Sequence, residues 1–157
     1  MRIALFEPDI PPNLGTILRL GACLDVPVHV IEPCGFPFSV QAVRRSAMDY
    51  LEHAAIYRHE SWDTFVTERP PGRLVLLTTK AAVPYTTFRF AADDILLFGR
   101  ESKGVPDHVH AAADARLVIP IKTGLRSINV ATAAAMVLGE ALRQLDGFPQ
   151  RPDHLEG

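Results

Sequence analysis

Residues 95–106 read ILLFGRESKGVP, and this stretch decides the fold. Ile95 to Phe98 is an unbroken apolar run, as a strand covered on both faces requires. Gly99 and Gly104 follow it directly and make a loop whose backbone can face a ligand at the carboxyl end of the strand. Open α/β sheets bind their ligands at that edge. Glu101, inside the loop, can accept hydrogen bonds from a helix N-terminus or from a ligand hydroxyl. The same letters also fit a plain strand-to-helix turn with solvated charges.

Working outward, Leu74 to Leu77 is a second continuous apolar run and Leu117 to Ile119 a third, ended by Pro120. Ile3 to Phe6 is a short apolar run and Val28 to Ile31 a short β-branched run, closed by Glu7-Pro8 and Glu32-Pro33, and a brief strand is expected near Ala54 to Tyr57. Between them lie helical patterns. Asn13 is expected to cap a helix carrying Leu14, Ile17, Leu18 and Gly21. Val40, Val43, Ala47 and Leu51 share one face of an expected helix, and Ser61 to Thr67 makes another. The clearest helix runs through Val130, Ala134, Val137, Leu138, Ala141, Leu142 and Leu145, and Gly147 with Pro149 stops it. Apolar strands alternating with helices predict an α/β fold, a parallel-sheet α/β/α sandwich. No repeat or linker divides the chain, so residues 1–157 are expected to form a single domain, with a frayed tail from Phe148.

Composition narrows the function. The chain is 48% hydrophobic and 22% charged, ordinary for a globular protein, and its formal net charge is −2. A nucleic-acid surface would therefore have to be assembled locally, from Arg44, Arg45, Arg58, Lys80, Arg100, Lys103 and Arg126. Cys23 and Cys34 are too few and too far apart for a disulfide framework, and Cys23 reads as a small core residue. The first residues form a strand rather than a signal peptide, and no apolar run reaches the ~18–20 residues of a membrane span, so a cytoplasmic location and no membrane partner are expected. No G-x-G-x-x-G follows the first strand, and no G-x-S-x-G elbow exists. Gly99 and Gly104 have the spacing of a phosphate-binding loop, but Val105-Pro106 stands where Lys and Ser/Thr are needed. His108 and His110 could share a strand face, yet lack a third ligand, so no metal is expected.

Two further segments look like parts of a site. In Pro11-Pro12-Asn13-Leu14-Gly15-Thr16-Ile17-Leu18-Arg19, Gly15 and Arg19 lie one helical turn apart, leaving room beside the guanidinium. An ordinary helix with a solvated Arg19 has the same spacing. In Ile119-Pro120-Ile121 through Gly124-Leu125-Arg126-Ser127-Ile128-Asn129-Val130-Ala131, Ser127 and Asn129 are both cap residues, and the small side chains behind them allow close packing against a backbone or a cofactor. A helix cap and nothing more is the alternative.

Taken together, the three segments resemble the signature motifs of the SPOUT superfamily of RNA 2′-O-ribose methyltransferases. Asn13, Gly15 and Arg19 match its N-x-G-x-x-x-R motif. Gly99, Glu101 and Gly104 match its glycine-rich loop, and Ile119, Pro120, Ser127, Asn129 and Ala131 match its third motif. The resemblance covers essentially the whole chain. The short length and the phrases Phe6-Glu7-Pro8, Ile31-Glu32-Pro33 and Leu77-Thr78-Thr79-Lys80 are most similar to the compact members that methylate the tRNA wobble nucleotide.

This resemblance implies a C-terminal trefoil knot, a homodimer, and S-adenosyl-L-methionine as methyl donor. It places Leu77, Thr78, Gly99, Glu101, Gly104, Ile119, Ile121, Leu125, Ser127 and Asn129 at the cofactor, and Arg19, Asn13, Ser127 and Asn129 in catalysis. The substrate implied is the ribose 2′-hydroxyl of nucleotide 34, cytidine or modified uridine, in the anticodon stem-loop of tRNA. A ribosomal RNA or another tRNA position, or a non-catalytic RNA-binding module, are the alternatives. A guanidinium cation is a poor base, so the role that fits Arg19 is to orient the ribose or its phosphate and to stabilise the developing alkoxide. The chain departs from the family pattern at Gly139, where close relatives carry tyrosine, and at Arg100, where proline is common.

Overall fold

A computed structural model describes residues 1–39, 41 and 48–150. In chain order they form β1 (Arg2–Phe6), α1 (Pro11–Leu24), β2 (Val28–Ile31), β3 (Ile56–His59), α2 (Trp62–Glu68), β4 (Leu74–Leu77), β5 (Val83–Pro84), β6 (Ile95–Phe98), α3 (Asp107–Ala112), β7 (Ala115–Val118) and α4 (Val130–Leu145). Short 3-10 turns occupy Met48–His53 and Tyr85–Thr87.

All strands run parallel in one sheet ordered β3-β2-β1-β6-β4-β7-β5. Alternate residues of a strand point to opposite faces, and here both faces are buried. Ile3 and Leu5 join Leu14, Ile17, Leu18, Val137 and Leu138 in the core under α1 and α4. Ala4 and Phe6 join Phe65, Leu76, Leu97 and Val109 in the core under α2 and α3. The expected α/β/α sandwich is the observed one. β6 is inserted between β1 and β4, so the strand order reverses there, and the loops leaving β1, β6, β4 and β7 gather at the carboxyl edge.

Local chemistry sets the helix ends. α1 starts with proline at its first turn, where a missing N–H is harmless, and Asp25 ends it in the left-handed region at φ 53°. Gly21 lets α1 close down on the sheet, because a Cβ there would stand 2.7 Å from Val28 Cγ2. Ser61 caps α2 by accepting from the Thr64 N–H at 3.1 Å, and Asn129 caps α4 by accepting from Ala131 and Thr132 at 2.9 and 3.2 Å.

Several expectations need correction. Asn13 is not a cap: α1 begins at Pro11 with Ile10 in the cap position, which places Asn13 inside the first turn. Cys23 is exposed rather than in the core. His108 and His110 sit on helix α3, where positions two apart face different ways, not on a strand. The expected strand over residues 54–57 is shifted to Ile56–His59, and that over 117–119 to Ala115–Val118. Of the helix expected over residues 40–51, residues 40 and 42–47 lie outside the described set, and Met48–His53 is a 3-10 turn. Among the described residues no helix is long and apolar enough to cross a membrane.

Under α2 lies a buried histidine pair. His29 Nδ1 and His59 Nε2 are 2.9 Å apart, and His59 Nδ1 reaches Glu68 Oε2 at 3.2 Å. Burial, followed by the nearby His59 and Arg2, pushes the His29 pKa from 6.5 to about 4. As pH falls between those values the unfolded chain takes up a proton that folded His29 refuses. The stabilisation is complete above about pH 7 and is withdrawn as pH falls to about 4, by up to about 3 kcal/mol. Urea unfolding across that range should show this loss, and His29→Phe should flatten it; an equal slope in the variant would assign the acid sensitivity elsewhere.

Candidate active site

Three strand-end loops, each anchored by the strand before it, converge on one side-chain relay. Asn13, in the first turn of α1, donates from Nδ2 to Glu101 Oε1 at 3.2 Å and accepts at Oδ1 from Asn129 Nδ2 at 2.9 Å. Asn129 spends its own oxygen on the N-terminus of α4. Glu101 Oε2 accepts from the Asp9 N–H at 3.1 Å, and Asp9 Oδ1 accepts in return from the Glu101 N–H at 3.1 Å. The Ser102 hydroxyl donates to Asp9 Oδ2. The loops after β1, β6 and β7 are thus joined at one point.

The glycine loop is folded on itself. Arg100 and Gly104 exchange backbone hydrogen bonds at 3.0 and 2.9 Å. A Cβ at Gly99 would stand 2.6 Å from the Gly104 carbonyl carbon, so only glycine fits. Gly104 lies at φ +67° with nothing within 4 Å of its Cβ position, which leaves bare backbone at the cavity.

Beside this relay is a cavity of about 650 Å³, within the range of small-molecule sites. Its wall contains Asn13, Leu77, Thr78, Gly99, Glu101, Gly104, Ile119, Ile121, Ser127 and Asn129, so the structure brings these anticipated residues together. Phe98, Val105, Ile128 and Ala133, from the segments the sequence singles out, add apolar surface, as does Ile10, which sequence reasoning missed. It also missed Asp9, whose role depends on a partner 92 residues away.

Two anticipated residues stand apart. Leu125 is 67% exposed and outside the wall. Arg19 is exposed on α1, outside the wall of its own chain's cavity, with its guanidinium 4.5 Å from the Tyr50 ring centroid. Gly139 opens onto space, with nothing within 4 Å of its Cβ position.

Of the cations considered for RNA, Lys80, Lys103 and Arg126 are exposed at the cavity wall. Arg58 is bound by Glu32 at 2.8 Å and lies over Phe38 at 4.3 Å, while Arg100 pairs with Glu7 and lies over Phe6. Arg44 and Arg45 fall outside the described residues.

Asp9 and Glu101 are close enough to influence one another's protons. The hydrogen bond from Glu101, with help from Ser102, holds the Asp9 carboxyl below the usual range. Burial first, then the Asp9 carboxyl, pushes Glu101 up. Among the described residues no group of three or more His, Cys, Asp or Glu is arranged to hold a metal ion.

A parallel sheet whose first, glycine-loop and last motifs close on one cavity defines an RNA methylase class, and the chain belongs to the SpoU rRNA Methylase family, which matches residues 1–139. It is 60% identical over 153 residues to the tRNA (cytidine(34)-2'-O)-methyltransferase of Beijerinckia indica subsp. indica, covering 96% of each chain. A solved structure concerned with 2-OH methylation of C/U34 on tRNA superposes with a TM-score of 0.88 at 35% identity, covering 93% of this chain and 96% of that one. An AdoMet-bound rRNA methyltransferase from Sinorhizobium meliloti superposes with a TM-score of 0.81 at 28% identity, covering 92% of this chain and 56% of that one.

Asn13 is 8% exposed, while its partners are less shielded, Glu101 being half-buried and Asn129 exposed. Asn13→Ala should remove the hydrogen bonds to Glu101 and Asn129 and cost about 1 kcal/mol. Urea unfolding at neutral pH measures it; a loss within error would show that water replaces the amide.

Proposed function

We propose that this chain transfers a methyl group from S-adenosylmethionine to the ribose 2′-hydroxyl of nucleotide 34 of tRNA, cytidine or modified uridine. The observation that carries this reading is the Asn13–Glu101–Asn129 relay beside a cavity of about 650 Å³, in a chain 60% identical to an enzyme of that name. The cavity fits the cofactor in size and chemistry. Leu77, Ile119 and Ile121 offer an apolar slot for an adenine, and the bare backbone at Gly104 offers polar groups without a side chain in the way. Thr78, Gly99, Glu101, Ser127 and Asn129 would complete its binding, and Leu125 would join only by moving inward.

When bound, the cofactor supplies a methyl on a sulfonium that is already a good leaving group, and no metal is needed. The protein's work is to align the ribose oxygen, which can be worth ~7–11 kcal/mol. Asn13, Ser127 and Asn129 line the cavity wall and would hold the ribose and the donor in register. Arg19 would orient the ribose or its phosphate and stabilise the oxygen as it loses its proton. Since Arg19 lies outside its own chain's cavity, a homodimer that brings a second α1 to the cavity mouth completes the site. Exposed Met136 on α4, at 38%, gives such an interface an apolar contact. The family's trefoil knot belongs to the same reading. It is supported by β7 lying outside β4 while the following α4 returns to pack on α1 and β6.

The RNA surface would be Lys80, Lys103 and Arg126 around the mouth, which suits an anticodon stem-loop in the cytoplasm. Should Z of these contact phosphates of a single-stranded loop, log affinity falls with log salt by roughly 0.7Z. A salt-independent affinity would remove the phosphate contacts. Arg19→Ala should abolish methyl transfer to tRNA while calorimetry shows cofactor affinity nearly unchanged; lost affinity would instead assign Arg19 to the cofactor. Tritiated-methyl transfer to bulk tRNA and ribosomal RNA separates the substrates, and nucleoside mass spectrometry of tRNA from a strain lacking the protein should show 2′-O-methylated wobble nucleosides gone. Label only in ribosomal RNA, or none, would overturn the proposal.

A further inference from the structure

Two acidic residues at the end of β1 contact the glycine loop, and neither belongs to the cavity wall. The Glu7 carboxylate pairs with the Arg100 guanidinium, which also lies 5.7 Å from the Phe6 ring centroid. Two residues on, Asp9 takes the Glu101 N–H at 3.1 Å and the Ser102 hydroxyl, and returns its own N–H to Glu101 Oε2 at 3.1 Å. Three consecutive loop residues, Arg100, Glu101 and Ser102, are therefore held by a Glu-x-Asp pattern.

The loop needs such a hold. It has glycine at both ends, and glycine has the widest backbone freedom of any residue. Every conformation it explores without a ligand must be given up when one binds, which weakens affinity. Asp9 itself is backed from behind. Gly35 donates its N–H to Pro8 O at 3.0 Å, and a Cβ on Gly35 would stand 2.5 Å from Asp9 Cβ and 2.9 Å from Asp9 Cα. The glycine at 35 is what allows Asp9 to sit against the loop.

We infer that Asp9 is a positioning residue for the cofactor: seated by Gly35 and assisted by Glu7, it pre-forms the Arg100–Ser102 loop and so sets S-adenosylmethionine affinity without touching the ligand. The inference rests on the methyltransferase reading above. Its signature is a change in binding with little change in the chemical step. Removing the carboxylate frees the loop in the unbound protein, yet a saturated enzyme has the loop closed by the ligand itself.

The test is calorimetric titration with S-adenosylmethionine and S-adenosylhomocysteine, paired with steady-state methyl transfer to tRNA. Asp9→Ala should raise Kd and cofactor KM at least about tenfold while kcat stays within about twofold. Asp9→Asn keeps an oxygen for the Glu101 N–H and a polar partner for Ser102, and should bind within about threefold of wild type. Gly35→Ala leaves the carboxylate in place but displaces it, and should weaken binding in the same direction as Asp9→Ala. It also serves if Asp9→Ala does not fold. A folded Asp9→Ala, or Gly35→Ala, with a lowered melting temperature but unchanged Kd overturns the inference and leaves the methyltransferase reading standing. Equal losses in Asp9→Ala and Asp9→Asn overturn it too, because they would make the charge itself the binding element. Wild-type protein that binds neither probe brings down the methyltransferase reading, and this inference with it.

Discussion

The Asn13 side chain has one oxygen and one nitrogen, and the fold assigns each to a different loop. The nitrogen donates to Glu101 and the oxygen accepts from Asn129. Both partners lie far away in the chain, at separations of 88 and 116 residues, so the contact forms only after the sheet is assembled. No other residue type of that length supplies a donor and an acceptor together. Aspartate would set a third carboxyl beside Glu101 and Asp9, and leucine would leave both partners unpaired. The cavity depends on that constraint, because the three loops the amide joins all contribute to its wall, beside the loop after β4.

The sheet's part is to bring those loops to one edge. With all strands parallel, every strand-to-helix loop leaves on the same side, and the insertion of β6 between β1 and β4 puts the glycine loop next to the start of α1. Burial on both faces then holds the arrangement, since a one-residue slip in a central strand would exchange the side chains entering the two cores and spoil the packing of both.

That double burial is also why much of the fold was legible. β4 and β6 were readable to the residue as continuous apolar runs, β2 as a β-branched run, and α4 through its 3.6-residue periodicity. α3 and β5 were not. α3 has six residues and one fully buried side chain, Val109, too little for a period to show, and β5 is two residues long. Cap grammar succeeded at Asn129 and failed at Asn13. There Pro11 and Pro12 had already started the helix, so the asparagine was released from the backbone for the relay. The walls of the cavity were legible through motif resemblance. The wiring behind them was not, because Asp9 and Gly35 act through partners that no local pattern names.

The same wiring bears on how a chain with net charge −2 can present a site to a polyanion. Three acidic side chains lie in or behind the glycine loop, and left solvated they would repel phosphate. None is left so. Glu7 is paired with Arg100; Asp9 receives an N–H and a hydroxyl; and Glu101 receives the Asp9 N–H and the Asn13 amide. Their negative charge is thus offset within the scaffold at short range, where Coulomb terms are strongest. Lys80, Lys103 and Arg126 meanwhile stand exposed at the cavity, so the field that reaches solvent there is theirs. Net charge is a sum over the whole surface. What an incoming backbone meets is the local remainder after the acids behind the loop have been spent on holding it.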